Sequence, residues 1–152
     1  MESSENEKYL GDFLNENAKI EKTIEDRKRK GYAMVSQIIS ILEEIPLGRY
    51  KVEIGLILRK VMLLGCMLFN SEVWHCLNGK HIRDLEKVDE YLIRKILSAH
   101  SKTPIEILYL ETGTIPIRFI ISLRRLLYLH TLLKRDNSEL TKKCILLNWK
   151  VL

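Results

Sequence analysis

A run of nine consecutive apolar residues, Val61 to Phe69, constrains the fold of this chain more than any other feature of its sequence. The run lies within a longer, mostly apolar stretch from Val52 to Trp74. A helix that is apolar on every face must be buried on all sides. We therefore expect this helix to form the centre of the molecule, covered by helices that are apolar on one face only.

The rest of the chain predicts an all-α fold: a bundle of five or six helices around that buried central helix, with a short extended segment at the N-terminus. A chain of 152 residues is long enough to bury one core without disulfides or metals. Apolar residues spaced by three and four predict the helices. They span residues 17–45, with Asn17 as the N-cap, then 50–69, 82–96, a short helix from a capping box at Thr103 to Gly113, 114–134, and a further short helix over 140–152.

Four segments follow from these patterns. Residues 1–7 are polar and predicted to be disordered, and residues 8–16 form the extended segment. Residues 17–69 and 70–152 contain the helices. The acidic N-terminus lacks the basic start and apolar stretch of a signal peptide, and no apolar run approaches the ~20 residues of a membrane span. We therefore expect an intracellular protein that does not enter a membrane.

The net charge of +5 is unevenly distributed. Residues 1–16 carry −4, residues 17–60 carry +4, residues 61–97 are neutral and residues 98–152 carry +5. Basic helices suit contacts with a phosphate backbone, which give affinity without reading sequence, although a solvated lysine-rich surface fits the charge equally well. The candidate nucleic-acid-binding residues are Lys8, Lys19, Lys22, Arg27, Lys28, Arg29 and Lys30, with Arg49, Lys51, Arg59 and Lys60 as second choices.

No pattern indicates catalysis or a cofactor. The cluster of Cys66, His75, Cys76 and His81 has the spacing of no known zinc site, and packing is the better explanation. The sequence also lacks a marked nucleophile and a glycine-rich phosphate loop. We therefore predict no metal, no cofactor and no enzymatic activity of the chain on its own.

Three pieces of the chain, taken in order, carry a family resemblance. They are Lys8-Tyr9-Leu10-Gly11; then Gly65 to Trp74 leading into Ile82-x-x-Leu85-Glu86 and Leu92 to Leu97; then Pro104 to Gly113 followed by Pro116-Ile117 and Arg124 to Leu129. In order and spacing they resemble the carboxy-terminal part of reverse transcriptases from non-LTR (LINE-like) retrotransposons. The resemblance covers about residues 8–143.

The resemblance implies that residues 8–11 lie in a strand hairpin at the end of the palm, that residues 17–69 are the thumb, and that residues 70–152 are the connector. The implied partner is RNA or an RNA–DNA hybrid. The family's polymerase holds two metal ions with palm aspartates, marked by an F/Y-x-D-D tetrapeptide that this sequence lacks. Two-metal phosphoryl transfer requires those carboxylates, so we expect an inactive fragment.

Two alternatives stay open. A helical protein-interaction module would use apolar surface that a missing palm once covered, and nothing in the sequence determines whether the chain forms an oligomer. A helix-turn-helix regulator would use the basic final helix from Arg118 to Arg135. Apolar residues occupy too many faces of that helix for an exposed recognition helix, so we rank it last.

Overall fold

The computed structural model describes residues 6–9, 12–15, 20–46, 48–74 and 77–134, with only the backbone described in the first two ranges. These residues form an all-α helical bundle preceded by a β-hairpin, which confirms the predicted fold class. The elements in chain order are β1 (Asn6–Tyr9), β2 (Asp12–Asn15), α1 (Glu21–Glu43), α2 (Arg49–Leu58), a π-helical turn (Arg59–Leu63), α3 (Leu64–Met67), α4 (Gly79–Ile96), α5 (Ile105–Thr112) and α6 (Ile117–Leu133).

The extended segment predicted over residues 8–16 is a two-stranded antiparallel hairpin. Its register pairs Asn6 with Asn15 and Tyr9 with Asp12. The first strand therefore begins two residues before the predicted segment, inside the range 1–7 that we predicted to be disordered.

The predicted burial of the apolar run is wrong for part of its length. Leu63, Leu64 and Met67 are buried in the main core, but Val61 is 67% exposed and Phe69 is 48% exposed. Other helices cover only one side of this helix, so side chains on its outer side face solvent. An uninterrupted run of apolar residues therefore does not mean that this helix is buried on every face.

Helix α4 occupies a central position in the bundle. It packs against α1, α2, α5, α6 and the π-helical turn. The apolar residues Leu85, Val88, Leu92 and Ile93 are fully buried along it. The main core joins residues from Ile20 to Ile121, on both sides of the boundary predicted between residues 69 and 70.

The π-helical turn interrupts the long helix between α2 and α3. The backbone N–H of Leu64 bonds to the carbonyl of Arg59, five residues back, instead of four as in an α-helix. The wider turn advances the side chains by a smaller angle per residue. Leu63, Leu64 and Met67 all face the main core, and Arg59 is buried beside Asp89.

Helix ends were predicted with mixed success. Gly113 ends α5 with φ +60, a left-handed conformation that glycine adopts without strain. The capping box predicted at Thr103 does not form, because Pro104 occupies the N-cap position without a side-chain hydrogen bond. Instead, α4 has a reciprocal capping box between Asn78 and His81.

The long helix α1 begins at Glu21, four residues after the predicted cap at Asn17, and Asn17 lies outside the described residues. The helix predicted over residues 140–152 also lies outside them. Across the described part of the chain, we find no helix whose length and apolar content would let it traverse a bilayer.

Candidate nucleic-acid interface

The first and fourth helices pack side by side in the same chain direction. Lys28 lies opposite Asp84, Gly31 opposite Val88, and Tyr32 opposite Tyr91. Gly31 permits this close approach, since a Cβ atom there would lie 3.0 Å from Val88 Cγ1 and 2.6 Å from the Met67 sulfur. The alignment places the basic first half of α1 beside the first half of α4.

An aromatic pair lies at the exposed junction of these two helices. The rings of Tyr32 and Tyr91 meet edge to face with centroids 6.4 Å apart, and the two residues are 40% and 43% exposed. The ammonium group of Lys95 lies 5.5 Å from the centroid of the Tyr91 ring, within the range of a cation–π contact. Two large rings therefore reach solvent beside a cation.

Three lysines and one carboxylate surround the pair. The ammonium nitrogens of Lys87 and Lys28 lie 3.4 and 3.9 Å from Asp84 Oδ1. One anion is thus shared by two cations, which leaves the group with net positive charge. We call the set Lys28, Tyr32, Asp84, Lys87, Tyr91 and Lys95 the tyrosine face.

Arg27 was predicted to contact phosphates, and the structure corrects this. It is 5% exposed, and its guanidinium donates a hydrogen bond to the Cys66 carbonyl at 3.2 Å. The guanidinium carbon lies 5.3 Å from the centroid of the Phe69 ring. Because α1 packs against α3 at this point, the side chain joins the two helices and is closed to a nucleic acid.

Arg59 requires the same correction. It is 4% exposed, and its guanidinium bonds both carboxylate oxygens of Asp89 at 2.6 and 2.7 Å. It also donates to the Ile115 carbonyl at 3.2 Å. A buried bidentate pair leaves this guanidinium no route to a phosphate in the folded chain.

The remaining cations of the basic run point in different directions. Arg29 and Lys30 both pair with Asp26, at 2.9 and 2.6 Å, whereas Lys28 faces α4. Consecutive helical residues are separated by about 100° around the axis, so four adjacent cations cannot share one face. Lys22 is exposed on the same helix.

The second-choice cations lie on other elements. Arg49 pairs with Glu53 at 2.8 Å on the exposed side of α2, Lys51 is half-buried on that helix, and Lys60 is exposed on the π-helical turn. Lys8 belongs to β1, and its side chain is outside the described part of the chain, as is all of Lys19. Of the predicted residues whose side chains the structure describes, it brings only Lys28 onto the tyrosine face, while Arg29 and Lys22 lie elsewhere on α1.

Sequence reasoning missed the contribution of α4. Arg83, Lys87, Tyr91 and Lys95 recur every fourth residue, and such residues follow one stripe of a helix. This spacing was a usable signal. No run of adjacent cations marks the outer side of α4, so the candidate nucleic-acid-binding residues above include none from this helix.

A second polar cluster lies between α4, α5 and α6. Next to the Arg59–Asp89 pair, Glu86 accepts two hydrogen bonds from the Arg118 side chain at 2.7 and 2.8 Å. Burial raises the pKa of Asp89, and the Arg59 guanidinium opposes this increase. Burial, reinforced by the neighbouring carboxylates, also raises the pKa of Tyr109, so its hydroxyl stays neutral. The arrangement joins helices and presents no nucleophile with an adjacent base.

Within the residues that the structure describes, no three histidine, cysteine, aspartate or glutamate side chains come together in a way that could hold a metal ion. His81, one of the four possible ligands considered above, caps α4, and His75 and Cys76 lie outside the described residues. No protein-family model matches the chain, and neither a curated protein nor a solved structure gives a significant match.

Proposed function

We propose that this chain binds nucleic acid without reading its sequence, through the tyrosine face of α1 and α4. We further propose that it is the thumb and connector of a LINE-like reverse transcriptase without the catalytic aspartates, and that it has no polymerase activity of its own. The observation that carries the binding proposal is the exposed tyrosine pair set among Lys28, Lys87 and Lys95. The ordered motifs and the hairpin at residues 6–15 support the proposed origin.

The chemistry of the tyrosine face suits a nucleic-acid backbone. Lysine ammonium groups contact phosphates as point charges and release counterions, which gives affinity that depends on salt. Aromatic rings stack on any base and therefore add affinity without strong sequence preference. Together the two groups fit a partner that presents phosphates and bases at the same surface.

The test measures fluorescence anisotropy of a labelled RNA–DNA hybrid from 50 to about 200 mM salt. Replacing Lys87 and Lys95 by glutamine removes two cations from the tyrosine face. Each phosphate contact contributes ~0.9 to the slope of log K against log salt. If both lysines contact phosphates, the slope should therefore become shallower by about 1.8.

The matched control, Lys102→Gln with Lys134→Gln, removes the same charge from exposed positions off the tyrosine face. We expect it to leave the slope nearly unchanged. An equal change in both double variants would show that only total charge matters. Affinity that does not weaken with salt in the unmodified chain would refute the proposal.

A second comparison identifies the form of nucleic acid. Tyr32→Leu with Tyr91→Leu should weaken binding to single-stranded RNA by about 1–3 kcal/mol for each base that stacks, and should affect a hybrid duplex much less. Tyr50→Leu is the control, because Tyr50 is 78% exposed on α2, away from the tyrosine face. Equal losses for the single strand and the duplex would argue against base stacking.

A protein-interaction module is the second candidate function, and one observation favours it. The outward side of α6 carries large apolar residues, among them Phe119 and Leu126, that are 60% and 61% exposed. Contiguous exposed apolar surface on a folded protein commonly marks an interaction site. A defined oligomer without nucleic-acid affinity would support this candidate over the first.

A further inference from the structure

The outward side of α6 has the spacing of a coiled-coil seam. Phe119, Leu123, Leu126, His130 and Leu133 follow one another at intervals of four, three, four and three residues, as do the apolar positions of a heptad repeat. The four apolar members are between 50% and 61% exposed in the folded chain, and His130 is exposed as well. We call these five residues the α6 seam.

The charged residues of α6 lie away from this seam. Arg118 pairs with Glu86, while Arg124 and Arg125 donate to main-chain carbonyls in the segment that follows α3. Residues 117–133 include no acidic residue. The inward side of α6 buries Ile117, Ile121 and Leu132, and Arg124 and Arg125 bond to the bundle. The helix also presents leucines outward, where an ordinary amphipathic surface helix would have charged or polar residues.

The contacts of these arginines indicate which kind of partner could bind the α6 seam. Amphipathic helices that lie on membranes keep lysine or arginine free for lipid head groups, but the three arginines of α6 have partners inside the chain. A partner recognised by charge is also disfavoured, because the seam has no fixed charge to pair. The surface therefore fits another uncharged apolar helix with the same spacing.

We propose that the occupant is α6 of a second copy of this chain, which would make the protein a homodimer. A heptad seam is complementary to itself, since each apolar side chain fits between those of an identical helix. The seam spans 14 residues, or about 21 Å of helix. An antiparallel arrangement would set Leu123 of each copy against Leu126 of the other, with the two helix dipoles opposed. Isologous pairing of this kind is the commonest form of oligomer.

The test is sedimentation equilibrium of the full chain at concentrations from about 1 to 100 μM, the range in which a two-helix seam gives measurable dissociation. We expect dimers. Replacing Leu123 and Leu126 by glutamate should raise the dissociation constant at least about 100-fold, because apolar burial of roughly 3 kcal/mol is lost. The control is Leu110→Glu, since Leu110 is 82% exposed on α5 and is not part of the seam.

Hydrogen exchange provides a measurement that needs no variant. In the unmodified chain, amides of α6 should exchange more slowly at 100 μM than at 1 μM, whereas those of α5 should not change. A monomer at every concentration would overturn the proposal, including a monomer in which residues 135–152 or another protein cover the seam. Dimers that lose stability equally in the Leu110 control and in the seam variant would overturn it too.

Discussion

The burial of Arg59 leads to the sharpest quantitative prediction. Its guanidinium and the Asp89 carboxylate are 5% and 0% exposed as side chains and share two short hydrogen bonds. Removing one partner of such a pair leaves the other charge buried without compensation, which costs about 3–5 kcal/mol. Arg59→Met should therefore lower the free energy of unfolding by that amount. Since folded domains have about 5–15 kcal/mol in total, this is a large fraction of the stability.

The comparison with a double variant separates the ion pair from simple loss of packing. Arg59→Met with Asp89→Leu removes both charges and keeps apolar volume, a replacement that is often neutral or stabilising. The Ile115 carbonyl still loses its donor, at a cost of about 1–3 kcal/mol if it stays dry. We therefore expect the double variant to be more stable than the Arg59→Met single variant.

The assay is urea unfolding followed by circular dichroism, with the slope against denaturant checked for constancy. At roughly 2–4 °C per kcal/mol for a domain of this size, the single variant should also melt about 6–20 °C below the unmodified chain. A loss under 1 kcal/mol together with weaker nucleic-acid binding would refute the reasoning. Such a result would mean that Arg59 is accessible to phosphate, as the sequence alone suggested.

Further predictions concern Gly31 and Tyr109. Gly31→Ala should destabilise the chain by about 1–2 kcal/mol in urea unfolding, since overpacking against Met67 exceeds the gain in helix propensity. Gly65→Ala should stabilise it by up to about 1 kcal/mol, because a Cβ there meets nothing within 4 Å; the opposite order would contradict the α1–α3 packing. Tyr109→Phe should raise stability by about 1 kcal/mol, since the buried hydroxyl has no hydrogen-bond partner among the described residues. Because the pKa of Tyr109 is raised in the folded state, the unmodified chain should lose stability as pH rises above about 10, and the phenylalanine variant should lose less.

The helices were predictable from sequence wherever one face alone is apolar. The residues from Ile82 to Ile96 are spaced for such a face, and the helix α4 forms over nearly that range. The start of α6 after Pro116 and the end of α5 at Gly113 followed from local backbone preferences. These signals are contained within a few neighbouring residues, so they do not require knowledge of the tertiary fold.

The candidate site was less predictable because its chemistry depends on distant partners. The sequence around Arg59 is typical of a surface cation, because its partner Asp89 lies 30 residues later. Arg27 belonged to the most basic run of the chain, yet its position on α1 faces α3. The tyrosine face joins residues from two helices whose alignment depends on close packing at Gly31. Tyr32 and Tyr91 are 59 positions apart in the sequence, so no local pattern predicts that their rings meet.

The π-helical turn determines where this chain can lose a single residue without rearranging its core. A turn closed by a bond across five residues holds one residue more than an α-helical turn. Deleting one of the exposed residues Lys60 or Val61 would let the turn close in the ordinary way, and both flanking helices would keep their orientation. The same deletion within α4 would rotate every later side chain by about 100°. The long helix thus has one place where evolution can shorten the protein by a single codon without reorienting its interior.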